Sequence, residues 1–215
     1  MDKPKILITS GPTREYLDPV RFICNSSSGK MGAALAAAVL KKNAVPVIVS
    51  GNVSAEYPAG AEVHYVETTE EMQNVCLEHF PQCAGIIGAA APCDFTPLQF
   101  LPQKISKKDM TGGILTLQLT ATPDILAALG KIKRGNQFIV CFALETADGE
   151  NGKENAMRKL KEKNADYVIL NKTEAIRSDY STVQVFDRGG YLCSVINGGK
   201  NFVAEKILAF VLRQD

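Results

Sequence analysis

The chain has 215 residues, with 24 Lys and Arg against 23 Asp and Glu, a net charge of +1 and 46% hydrophobic residues. That length suits one α/β core with a modest extension, and the even charge gives no overall pull toward nucleic acid or a membrane surface. No apolar run approaches the roughly 20 residues that span a bilayer.

Met1-Asp2-Lys3-Pro4 runs at once into Lys5–Thr9 (KILIT), a short apolar run that reads as a buried parallel strand. This leaves no space for a signal peptide and points to the cytoplasm. Gly32–Lys42 is rich in helix formers and ends in two lysines, which suit a helix C-terminus. Val45–Ser50 is the second strand, with Pro46 acceptable only near its start. Thr68-Thr69-Glu70-Glu71 opens a helix with a capping box and runs to about Phe80. Ala84–Ala90 is a glycine-rich third strand, and Phe138–Phe142 and Asp166–Leu170 are two more around a charged helix at Lys153–Asn164. Val183–Phe186 and Leu192–Val195 flank Asp187-Arg188-Gly189-Gly190, a hairpin signal, and an amphipathic helix at about Lys200–Arg213 closes the chain.

Strands alternating with helices predict a Rossmann-like, doubly wound α/β fold with a mostly parallel sheet in a single domain, 1–215. The stretch at about 98–120 breaks the alternation. It carries Lys104-Ile105-Ser106-Lys107-Lys108 and an alternating Ile114–Leu119, and reads as a projecting β-flap. Ligands of such sheets bind beyond the strands' carboxyl ends, so segments 10–30, 91–95 and 143–148 should converge. The six cysteines form no CxxC pair and mostly sit in apolar runs, as buried reduced thiols do. The two histidines, His64 and His79, fall in unrelated contexts, and no metal-ligating residue is expected.

The polar loop Asn25-Ser26-Ser27-Ser28-Gly29-Lys30 between strand and helix is the strongest local signal. A helix start offers unpaired N–H groups and a favourable dipole to an anion, and Arg14, Arg21 and Lys30 add charge nearby. The plain alternative is a serine N-cap with its loop. Neither common nucleotide fingerprint fits: GxGxxG lacks its glycines, and a P-loop would need Gly at Cys24 and Ser or Thr at Met31. Lys159 and Lys163, four apart on one helix, share a face that is either solvated or suited to a triphosphate, and Lys104 is equally open. Asp94, after the small residues Ala89–Ala91, is either a ribose acceptor or a turn residue. Thr122-Pro123-Asp124-Ile125-Leu126 reads as a helix start. Phe142 either stacks on a base or fills the core.

The run Thr9–Glu15, Asp18–Ile23, Asn25 and Ser27–Gly32 resembles the signature of phosphopantothenoylcysteine synthetases, the ligase half of bifunctional coenzyme A biosynthesis flavoproteins. The likeness continues through Val49–Gly51, Ala89–Asp94, Lys104-Ile105, Thr122–Leu126, Phe142–Thr146, Lys159-Leu160, Lys163–Asp166 and Asn171, in order along essentially the whole chain. It implies a ligase that activates 4′-phosphopantothenate with a nucleoside triphosphate, CTP in bacteria with ATP possible, to an acyl-nucleotidylate. Cysteine then displaces the nucleotide. Asn25, Arg21 and Lys104 match the family's catalytic positions. Asp94, Lys104, Pro123, Asp124, Ile125, Leu126, Phe142, Lys159 and Lys163 match nucleotide-binding ones. Arg14, Ser27, Ser28, Gly29, Lys30 and Ala91 fall at the substrate and phosphate side. The resemblance also implies Mg²⁺, a homodimer with flaps reaching toward the partner, and no nucleic-acid or membrane partner.

Three departures stand out: Ser106 in place of a second flap lysine, Asn52 in place of a proline, and Pro92-Cys93 in the small-residue loop. The flavin-binding decarboxylase half is absent from these residues, which suits a stand-alone synthetase or one half of a larger protein. Competing readings are an NAD(P)-dependent short-chain dehydrogenase-like enzyme and a non-catalytic nucleotide-binding module. The first lacks GxGxxG and a Tyr-x-x-x-Lys pair; the second would not need Asn25 or the separated lysines.

Overall fold

The computed structural model describes residues 3–109, 112–145, 150–172 and 178–212. Its centre is an eight-stranded sheet. Six strands are parallel: β1 (Lys5–Ser10), β4 (Val45–Ser50), β5 (Glu62–Tyr65), β6 (Gly85–Gly88), β9 (Phe138–Glu145) and β10 (Tyr167–Lys172). An antiparallel hairpin, β11 (Tyr180–Asp187) and β12 (Leu192–Gly199), extends one edge, giving the order β12-β11-β10-β9-β6-β1-β4-β5. The chain runs outward from β1 through β4 to β5, then returns to β6 on the other side. The switch point therefore lies between β1 and β6, where open sheets of this kind bind ligands.

Strand alternation sorts the core into two layers. Ile6 and Ile8 of β1 enter the cluster covered by α1 (Lys30–Lys41) and α5 (Lys200–Val211). Leu7 points the other way, into the cluster under α2 (Thr69–His79), α3 (Ile125–Ile132) and α4 (Glu150–Glu162). Period-2 burial on both faces is why these strands read as continuous apolar runs. Leu35 on α1 is fully buried, and truncating it to alanine would cost about 2–5 kcal/mol.

The helices obey their local signals. α2 starts with the expected capping box: Thr68 Oγ1 accepts from Glu71 N–H at 3.2 Å, and Glu71 accepts from Thr68 N–H at 3.3 Å. Pro46 is the second residue of β4, before the pairing with β5 begins at Val47, so its missing N–H costs no ladder bond there. The terminal hairpin is longer than the sequence predicts. It reaches from Tyr180 to Gly199, with a bulge between Val185 and Phe186.

Two elements were not expected. The small hairpin β2 (Arg14–Tyr16) and β3 (Phe22–Cys24) lies inside the loop signature, and β5 sits at the sheet edge. The flap differs in form. Among the described residues its strands are β7 (Phe95–Pro97) and β8 (Leu119–Ala121), paired at its base, and 114–118 holds no extended strand. Ile114, Leu115, Leu117 and Leu119 all stay exposed, so the alternating pattern has no core face to satisfy. Residues 110–111 lie outside the described residues.

Candidate active site

The cleft opens beyond the carboxyl ends of β1, β6, β9 and β10, at the switch point. Its first half, about 540 Å³, is walled by the 25–32 segment on one side and by Ala89–Pro92, Phe142 and Lys159 on the other. The second half, about 370 Å³, runs from Ala90 and Asp94 to the start of α3 and Lys163. Ala90, Pro92, Asp94, Phe142 and Lys159 line both halves, making one continuous trough.

At its first wall, α1 begins after Gly29, which adopts φ 75°, and no side chain caps the helix. The left-handed backbone and a close approach both require glycine there: a Cβ would sit 2.8 Å from Val53 Cγ1. The first turn thus turns N–H groups toward the cleft, and Lys30, Lys159 and Lys200 add positive charge along it. Lys30 Nζ bonds Asp179 Oδ1 at 2.5 Å, and that bond holds the Asp179 carboxyl below its ordinary range. Burial pushes the Lys200 ammonium down, although Asp179 partly offsets this.

The facing loop is fixed by a buried polar network. Thr13 Oγ1 lies 2.8 Å from Thr69 Oγ1 and accepts from Cys93 N–H at 2.8 Å. Glu15 accepts from Thr69 N–H at 2.9 Å, and Thr122 Oγ1 donates to Cys93 O at 2.5 Å. Every one of these groups would be costly to leave unpaired, so the network pins the turn before Asp94 against the β1–β2 loop. Asn25 reaches across and donates from Nδ2 to Pro92 O at 2.8 Å. An amide nitrogen carries two hydrogens, so one donor remains beyond that bond.

At the far end Asp124 caps α3, accepting from Ala127 N–H at 3.0 Å. Lys163 Nζ grips the same carboxylate, 2.7 Å from each oxygen. Burial works against the charge on Asp124, but Lys163 and the helix N–H groups outweigh it and hold the carboxyl below its usual range. Lys159 and Lys163 are half-buried, whereas Lys161 and Glu162 are exposed. The shared face of the two lysines is therefore the cleft wall.

The family model for the DNA/pantothenate metabolism flavoprotein C-terminal domain matches residues 1–214. The chain belongs to this family. The coenzyme A biosynthesis bifunctional protein CoaBC of Bacillus subtilis is 39% identical over 191 residues, 86% of this chain and 45% of that protein. Its namesake in Escherichia coli K12 is 38% identical over 189 residues, with 86% and 46% covered. The chain thus spans about half the length of these relatives. Over 98% of this chain and 95% of the other, the fold matches a crystal structure of the C-terminal domain of CoaBC, with a TM-score of 0.79 at 33% identity.

Against this family frame, the trough gathers most residues singled out from the sequence. Asn25, Ser27, Ser28, Gly29, Lys30 and Ala91 line its first half, Pro123, Asp124, Ile125, Leu126 and Lys163 its second, and Asp94, Phe142 and Lys159 both. Segment 146–148, expected to converge here, lies outside the described residues.

Arg14, Arg21 and Lys104 line neither half. Arg14 lies 4.6 Å over the Phe22 ring and 3.6 Å from Glu67, and Asn52 Oδ1 accepts from its Nη1 at 2.8 Å once the amide is oriented to satisfy both groups. Its charge is spent holding the β2–β3 hairpin. Arg21 is drawn away by Asp18, whose Oδ2 accepts from its Nη1 at 2.5 Å. Lys104 is exposed on the flap.

Asp18 belongs to the signature run but carries no role in the sequence analysis. Its buried carboxylate accepts from Val20 and Arg21 N–H at 2.8 Å each and from Ile105 N–H at 3.0 Å, tying the flap to the Arg21 turn. Burial alone would raise its pKa, but these bonds and the Arg21 guanidinium hold it far below the usual carboxylate range. Lys200 and Asn171 were likewise given no role, being about 170 and 145 residues from the serine loop. Asn171 lines the cleft, and its Oδ1 is buried with no hydrogen-bond partner among the described residues.

Proposed function

We propose that this domain is a phosphopantothenate–cysteine ligase of coenzyme A biosynthesis, working by nucleotidyl transfer. The observation that carries this is the single trough, with an uncapped helix start, Lys30 and Lys200 at one end, Lys159 at the junction, and a second helix start with Lys163 at the other. That is room and charge for two phosphorylated molecules meeting end to end. The relatives' part in coenzyme A biosynthesis supports the same reading.

In the first half-reaction a carboxylate oxygen of 4′-phosphopantothenate attacks the α-phosphorus of CTP. The P–O bond to the β-phosphate breaks, leaving an acyl-cytidylate and pyrophosphate. Negative charge gathers on the leaving group, and fixed cations stabilise it most where it develops. Lys159 meets it at the junction of the two halves. Lys163 reaches it by exchanging Asp124 for phosphate oxygens, and Lys104 by closure of the flap over the Asp18–Ile105 tie. In the second half-reaction the cysteine amine adds to the acyl carbon and CMP leaves, its departure and loss of an amine proton giving 4′-phosphopantothenoylcysteine. Asn25 donates to the acyl oxygen or its phosphate without adding charge, and its Pro92 bond sets the angle. Arg21 steadies the same loop from its Asp18 pair.

Nucleotide-borne Mg²⁺ takes one or two protein carboxylates and completes its shell with phosphate oxygens and water. Asp94, an exposed carboxylate on the lining of both halves, fits that demand. When bound, the ion offsets charge on the triphosphate. CTP is the expected co-substrate, with ATP the alternative. Dimerisation is supported by exposed apolar side chains along the flap, including Phe95, Leu98, Phe100 and Ile114. No helix among the described residues is long and apolar enough to cross a membrane, and we place the reaction in the cytoplasm. The test is pyrophosphate release from the chain with 4′-phosphopantothenate, cysteine, Mg²⁺ and each nucleoside triphosphate in turn. Release that requires phosphopantothenate supports the ligase; silence with every nucleotide ends it.

A further inference from the structure

The two histidines that look unrelated in the sequence meet in the fold. His64 is on the edge strand β5, two residues from Glu62 and therefore on the same strand face. His79 is the last residue of α2, which packs against the neighbouring strands β4 and β1. The imidazole rings lie 4.2 Å apart with a 44° tilt. Glu62 Oε1 is 3.0 Å from His64 Nε2 and 3.9 Å from His79 Nδ1, and one donor atom from each of the three lies within 4.8 Å of the others. The place is remote from the cleft. Glu62 begins β5, Lys5 begins β1 and His79 ends α2, so the cluster belongs to the opposite edge of the sheet.

The geometry points to a binding site for a late first-row transition-metal dication, Zn²⁺ foremost, held by Glu62, His64 and His79. Four donors around Zn²⁺ at about 2.0–2.1 Å stand roughly 3.3 Å from one another. The two distances to Glu62 bracket that figure, and the third pair lies within 4.8 Å, so closing the site needs side-chain shifts of no more than about 1.5 Å. Two imidazole nitrogens and one carboxylate are a set that zinc accepts with water in the fourth place, whereas Mg²⁺ and Ca²⁺ prefer oxygen alone. Lys5 Nζ donates to the other oxygen, Glu62 Oε2, at 3.0 Å, which orients the carboxylate as outer-shell partners of metal ligands do. The three side chains are 35%, 31% and 18% exposed, enough for an ion to enter and for water to complete the shell. A metal there clamps the edge strand to the end of α2, well away from the reacting groups.

The chain contains only two histidines, which makes the test direct. The metal-stripped protein, with Cys24 and Cys193 changed to serine to remove the exposed thiols, is titrated with Zn²⁺ alone by calorimetry and with Co²⁺ by absorption and proton NMR. The expected result is one equivalent bound, Co²⁺ d–d bands without a sulfur charge-transfer band, and paramagnetic shifts of both imidazoles together. Zn²⁺ at about a hundredfold above its Kd raises Tm by roughly 5–10 °C, and Mg²⁺ does not reproduce this. His64→Gln and His79→Gln each lose the effect while keeping pyrophosphate release unchanged. Binding that survives both variants, a shift of neither or only one imidazole, or no binding at all overturns the proposal. The NMR result needs no histidine variant, so it stands even if one of them folds poorly.

Discussion

Gly32→Ala tests whether the start of α1 is held in place by close packing rather than by its loop. A methyl group at Gly32 would stand 2.1 Å from Ser10 Oγ and 2.5 Å from Ser10 Cβ. Rotating the serine hydroxyl removes the first clash but not the second, which falls about 1 Å short of an ordinary carbon contact. Ser10 is fully buried at the end of β1 and its Oγ donates to Gly29 O at 3.3 Å, so the helix start must yield. Alanine gains about 1 kcal/mol over glycine within a helix, and overpacking costs about 1–3 kcal/mol, leaving a net loss of up to about 2 kcal/mol. Tm therefore falls by up to ~8 °C. Activity suffers more, because a displacement of about 1 Å at the anion site costs on the order of a hundredfold in rate. Thermal unfolding and kcat/KM from pyrophosphate release measure the two effects. Ser10→Gly in the same chain removes the obstructing atoms and should recover most of the activity, a coupling that a double-mutant cycle isolates. A fully active and equally stable Gly32→Ala protein would refute the packing argument, as would a double variant no better than the single one.

Asn25→Asp should still release pyrophosphate and accumulate the acyl-nucleotidylate, with product formation down by about a hundredfold; mass spectrometry of the quenched mixture decides, and loss of the intermediate itself contradicts the assigned role. Lys200→Met should raise KM for the phosphorylated substrates several-fold with little change in Tm, and unchanged kinetics would make it a packing residue only. Asp124 titrates below its usual range in the fold, so its stabilisation is complete above about pH 4 and is lost as pH falls through the lower folded value. Asp124→Asn keeps the cap acceptor but removes the charge, so its urea midpoint should fall less steeply than the wild type's below about pH 4. Identical slopes would show that the Lys163 pair contributes nothing.

The parallel core was legible because strands buried on both faces leave continuous apolar runs, as in Lys5–Thr9 and Phe138–Phe142. The capping box at Thr68 and the hairpin at Arg188–Gly190 were equally plain, since each is a local rule satisfied within a few residues. What escaped depends on distant partners. Thr13 and Glu15 looked like part of a binding signature, but they hold Thr69 and the Cys93 turn. The resemblance places Arg14 at the substrate and phosphate side and Arg21 among the catalytic positions; in the fold their nearest anions are Glu67 and Asp18. Charge alone does not tell which carboxylate will claim an arginine. β5 was missed because Glu62–Tyr65 is a half-buried edge strand with one apolar residue facing inward, and with it went the meeting of His64 and His79. The flap misled in the opposite direction: its alternation promised a strand where the fold leaves exposed apolar side chains.

The central claim is transfer of a nucleotidyl group to the carboxylate of 4′-phosphopantothenate. Phosphopantothenate with both carboxylate oxygens labelled by ¹⁸O, turned over with CTP and cysteine, tests it most directly. The account predicts that the label appears in the phosphate of CMP, one atom per product formed, with pyrophosphate unlabelled. Label in inorganic phosphate, together with CDP in place of CMP, would mean an acyl phosphate and would contradict it.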